Sequence, residues 1–102
     1  MADVADRELL NQAAKIVDND RNEAYDHPFD NFSRIARIWS GILDMEITPE
    51  QVGLCMVGVK IAREAFKPKQ DNIVDGIGYL LCLNTINKIN SDFLENDYGK
   101  KA

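Results

Sequence analysis

The stretch DNIVDGIGYL, residues 71–80, decides the fold. From Ile73 to Leu83 every residue is apolar or glycine except Asp75. Nothing there alternates with the period of a strand, and a helix that is apolar on nearly every side is expected to be buried. An aspartate in such a helix must be paired, protonated or committed to a ligand, because an isolated buried carboxylate is costly. Asp75 therefore points to a polar partner on a neighbouring element, or to a site.

Upstream, Thr48, Pro49, Glu50 and Gln51 combine an N-cap threonine, a proline at the first helical position and a glutamine that completes a capping box. The helix they start carries VGLCMVGVKIAREAF and stops before Pro68, whose preceding residue is pushed out of the helical region. Asp71 or Asn72 caps the next helix, which the apolar run carries to about Ile89. Towards the N-terminus, Pro28 and Asp30 open a helix in which Phe32, Ile35, Ala36, Trp39, Ile42 and Leu43 recur at helical spacing. Val4, Leu9, Ala13, Ile16 and Val17 mark a first helix, from Asp3 or Asp6 to Asn19.

The spacing predicts an all-α, four-helix single domain over residues 1–90, with helices three and four as a central antiparallel hairpin. Residues 91–102 read as a flexible tail whose Phe93, Leu94 and Tyr98 are available to dock on a partner. Helices three and four carry more apolar surface than a lone four-helix domain covers, and Gly53, Gly58, Gly76 and Gly78 indicate close backbone approach. A homo-oligomer, most simply a two-fold dimer, is expected.

Composition narrows the function classes. In 102 residues the formal net charge is −5 and the pI about 4.7, which argues against a protein that holds duplex DNA by its overall field. No leading basic and apolar segment resembles a signal peptide, and no apolar run is long enough for a bilayer, so a cytoplasmic protein without a membrane partner is expected. Cys55 and Cys82 have a single histidine, His27, beside them, short of a zinc set. They read as reduced core thiols, and no metal or cofactor is implied.

Folding helices three and four about the loop KPKQ sets Arg63 level with Asp75, and Cys55 level with Cys82. Lys60 lies one turn from Arg63, while Asn72, Asp75 and Tyr79 share a stripe of helix four. One reading is a buried Arg63–Asp75 ion pair that fixes register, with Lys60 reaching out to water. The other is an anion site: Lys60, Arg63, Lys67 and Lys69 surround the start of helix four, and helix N-termini and arginine forks both bind phosphate. A second polar stretch, RNEAYDHPFDNFSRIARIW, offers Tyr25, His27, Asn31 and Arg34 beside Trp39. That is the equipment of a nucleotide site, and equally of an oligomer interface rich in Tyr, Trp and Arg.

These residues also carry a likeness. RNEAYDHPFDNFSRIARIWSGIL and ITPEQVGLCMVGVKIAREAFKPKQDNIVDGIGYLLCL resemble a family of short phage and prophage proteins with a tyrosine and His-Pro before an Asn-Phe helix, then Lys-x-x-Arg and Asp-Asn-x-x-Asp. The resemblance covers about residues 8–88 and implies phage origin, a helical fold and a host-cytoplasmic location. More distantly the chain is similar to all-alpha nucleoside triphosphate pyrophosphohydrolases of the MazG type, where a helix with ExxE faces one with ExxD to hold magnesium. Asn72 to Asp75 has the second motif's spacing, but Lys60-x-x-Arg63 stands where the first motif's carboxylates belong. Cations there remove the charge that holds Mg²⁺, so this likeness implies an anion-binding relative of that scaffold.

Three functions follow as expectations. The first is a non-catalytic nucleotide-binding protein with Lys60, Arg63 and Arg34 on phosphates and Tyr25, Trp39 or Tyr79 on a base; in a phage it would sequester a host signalling nucleotide and blunt defence. The second is an interaction module acting on a host protein. The third is a metal-dependent pyrophosphohydrolase-like enzyme using Asp71, Asp75, Glu64 and Asp26.

Overall fold

Local capping sets three of the four helix starts. In a computed structural model, which describes residues 2–20 and 27–98, Asp3 accepts from the Asp6 backbone N–H at 2.9 Å while Asp6 accepts from that of Asp3 at 3.0 Å. This capping box opens α1, Val4–Lys15, which continues through a π-helical turn, Ile16–Asp20. The side chains of residues 19, 20 and 93–98 lie outside the description. His27 caps α2, Pro28–Leu43, its Nδ1 accepting the Phe29 N–H at 3.1 Å, and Pro28 occupies the first turn. The box expected at Thr48 is present: Thr48 Oγ1 accepts from Gln51 N and Gln51 Oε1 from Thr48 N, opening α3, Pro49–Phe66.

α2 ends on Asp44 in the left-handed region, at φ 53°. Ser40 then ties the α2–α3 connection together, donating to Ala36 O at 2.7 Å and accepting from Ile47 N at 2.9 Å. α4, Gln70–Tyr98, runs on past the ending expected near Ile89. The docking role expected for Phe93, Leu94 and Tyr98 falls on side chains outside the description.

The chain is all-α among its described residues, and α3 and α4 form the expected central hairpin, the most closely packed pair of helices. α1 packs on α4, and α2 packs on both α3 and α4. Where they meet, Phe32, Val52, Cys82 and Ile86 are fully buried, with Val17 and Ala36 beside them and Ile35 and Trp39 packed against the cluster. Phe32 Cε2 would stand 3.2 Å from a Cβ at position 53, so the phenyl ring lies closer to α3 there than a larger residue would accept without a small shift of the ring.

Several expectations are corrected. Of the four hairpin glycines only Gly53 marks such an approach; a Cβ on Gly76 or Gly78 would meet ordinary contacts, and one on Gly58 nothing within 4 Å. Ile42 and Leu43, expected in the core, are exposed, since the buried residues of α2 stop at Ala36. Cys82 is buried but Cys55 is exposed, so only one of the two expected core thiols lies in the core. Helix four is not buried all round either: Ile73 and Leu80 are exposed.

Candidate functional site

The hairpin turn fixes the geometry around it. Lys67, in extended conformation before Pro68, ends α3. The Glu64 carboxylate then spans the turn, accepting from the Lys69 backbone N–H at 3.0 Å and from Asn72 Nδ2 at 3.2 Å. Asn72 Nδ2 also donates to Lys67 O at 3.3 Å. Glu64 and Asn72 thus hold the loop shut, a job their positions in sequence did not disclose.

This turn sets the register, and the register decides which cation meets Asp75. It is Lys60, not Arg63: Lys60 Nζ lies 3.0 Å from Asp75 Oδ2. The burial is the reverse of that expected, since the lysine side chain is 13% exposed and the aspartate 40%. α3 ends at Phe66 and α4 begins at Gln70, two residues to either side of Pro68, and the partner of Asp75 lies about one turn farther from the loop than the level assigned from its midpoint. Lys60 packs beside Gly76, where a Cβ would stand in ordinary contact with the lysine Cβ, at 3.9 Å.

Two grooves flank the hairpin on opposite sides of α3. One, of about 570 Å³, is lined by Val59, Ala62, Arg63, Phe66, Lys67, Lys69 and Asn72. It contains three cations and no carboxylate, and Phe66 on its wall is 91% exposed. The other, of about 500 Å³, runs along the α3–α4 seam and is almost wholly apolar, with Lys60 and Glu64 its ionisable lining residues.

The nine residues singled out from sequence are therefore dispersed. Arg63 and Asn72 share the basic groove, while Lys60 and Asp75 pair at the apolar one, with Asn72 touching both. His27 serves as the cap of α2, and Asn31 and Arg34 follow on its first turns, Arg34 exposed. Tyr79 is half-buried with its ring centroid 6.2 Å from that of Phe32, in the core. Tyr25 and Asp26 lie outside the described residues. Phe66 escaped notice because it ends an amphipathic helix, where an apolar side chain reads as core; Lys67 and Lys69 were visible as charges but not as a groove. Among the described residues no three His, Cys, Asp or Glu side chains converge as metal ligands, and no helix is long and apolar enough to cross a membrane.

Together these features define a small all-helical domain built on a hairpin, with a cationic cleft at its turn and an apolar groove along its seam. The chain belongs to the family described as Domain of unknown function (DUF6378), whose model matches residues 8–87. It is 35% identical over 79 residues to the Gene 55 protein of Mycobacterium phage D29, covering 76% of this chain and 52% of that protein. To the Gene 55 protein of Mycobacterium phage L5 it is 36% identical over 73 residues, covering 70% and 47%. The chain thus spans about half the length of these curated relatives. The resemblance to phage proteins is met by them; a MazG-type likeness is not shown. No solved structure matches the chain.

Proposed function

We propose that the chain is a phage-encoded, non-catalytic nucleotide-binding protein whose ligand phosphates sit in the basic groove at the α3–α4 turn. The observation that carries this reading is the groove's lining: Arg63, Lys67 and Lys69 without a carboxylate, in a chain of net charge −5, beside an almost fully exposed phenyl ring. An arginine fork and two ammonium groups recognise phosphate oxygens, and an uncovered aromatic face gives a base something to stack on. Sequestering a host signalling nucleotide is the corresponding role in an infected cell. Hydrolysis is not part of the proposal, since Asp75 is engaged by Lys60 and Glu64 by the turn.

Relative to the sequence expectation, the roles of Lys60 and Arg63 are exchanged. Calorimetric titration with linear and cyclic nucleotides, checking that ligand mass is unchanged, tests the reading. Arg63→Met should weaken binding at least tenfold and leave the helical fold intact, Lys60→Met should bind as the wild type does, and affinity should fall as salt rises. Absence of binding at micromolar concentration for every nucleotide tried would sink the proposal. A second reading, an interaction module for a host protein, is favoured by one feature: Ile38, Ile42, Leu43 and Met45, on and beyond α2, are exposed apolar side chains that line neither groove.

A further inference from the structure

The apolar groove is not explained by nucleotide binding. In α4 the buried residues Val74, Gly78, Cys82 and Ile86 recur every fourth position, while Ile73, Ile77 and Leu80 line the groove. At about 100° per residue the groove stripe is turned roughly a third of the way round the helix from the buried one. α1 and α2 cover one face of the hairpin, and another face presents two apolar ridges, Val57–Ile61–Ala65 on α3 and Ile73–Ile77–Leu80 on α4, with a trough between them.

We propose that this groove is the two-fold interface of a homodimer, in which the hairpins of two copies pack face to face with each ridge in the other's trough. The first argument is area. A compact monomer of 11.5 kDa exposes about 5,800 Å², whereas this chain exposes 7364 Å². That excess is larger than the roughly 800 Å² that one partner contributes to a stable interface. The radius of gyration agrees: it is 15.7 Å, against about 13 Å for a compact domain of this length.

The second argument is charge. The ionised groups at the groove are already answered within the chain, Lys60 by Asp75 and Glu64 by the Lys69 N–H and the Asn72 amide. An acidic or basic partner would find no free complement there, while a second copy of the same neutral, ridged surface fits it. Two copies that each carry −5 repel at long range, so association through an apolar interface is strengthened by salt. Phosphate binding in the basic groove has the opposite salt dependence, which keeps the two proposals separable.

Light scattering on the full chain at micromolar concentration tests the dimer. The wild type should scatter at twice the 11.5 kDa chain mass, more completely at high salt. Ile61, 65% exposed in the single chain, can be changed without disturbing the core, so Ile61→Lys should give the single-chain mass with an unchanged helical circular dichroism spectrum. Leu80→Lys, at a second exposed groove position, should do the same, and Ile38→Lys on α2 should leave the dimer intact. A wild type that scatters at 11.5 kDa overturns the proposal, as does an Ile61→Lys chain that still scatters at twice that mass, or an Ile38→Lys chain that alone dissociates.

Discussion

Asp75 was conspicuous in the sequence as a lone carboxylate in an apolar run, and it does find a cationic partner across the hairpin. The partner's identity was not legible, because Lys60 and Arg63 stand about one turn apart on α3, and which of them reaches Asp75 is set by how α3 and α4 pack. The energetic consequence is also smaller than a dry pair would give. With Asp75 40% exposed, water screens the attraction, and such pairs contribute about 1 kcal/mol or less. Asp75→Ala is therefore expected to cost about that amount in urea unfolding, measured in the Ile61→Lys background so that association does not contribute. A loss near 3 kcal/mol or above would mean the pair is closed to solvent.

At the scale of the helices, starts were readable and faces were not. Thr48 and Gln51 announce α3 because a capping box is a local arrangement that needs nothing from the rest of the chain. Pro28 announces α2 for the same reason, although its cap proves to be His27, a residue that looked like site chemistry. Which side of a helix is covered, by contrast, is settled by partners distant in sequence. Cys55 and Cys82 show this plainly: both sit in apolar surroundings in the sequence, yet Cys82 is enclosed by the cluster of Val17, Phe32, Ala36 and Val52 while Cys55 is left open. Thiol labelling of the native protein should accordingly modify Cys55 quickly and protect Cys82, with full modification only after unfolding. Equal rates at the two positions would contradict the packing. The basic groove was half legible: its charges stood out as a run, but the separation of Arg63 from Lys60 onto different sides of α3 required knowing where α4 lies.

For the molecule as a whole, the hairpin is fastened at both ends by contacts that span very different lengths of chain. At the turn, Glu64 reaches Asn72, eight residues away; at the open end, Asn90 donates to Glu50 at 2.6 Å across forty. Closing a short loop costs less entropy than closing a long one, so the two fasteners should form at different moments of folding. The turn belongs early and the open end late. In stopped-flow experiments on the Ile61→Lys chain, Glu64→Ala should mainly slow refolding, while Asn90→Ala should mainly speed unfolding. The reverse assignment would mean that the core around Phe32 assembles first and draws the hairpin together afterwards. If the order stands, the cationic cleft takes shape before any of the hydrophobic centre exists, and a nascent chain would present this basic turn ahead of the rest of its tertiary structure.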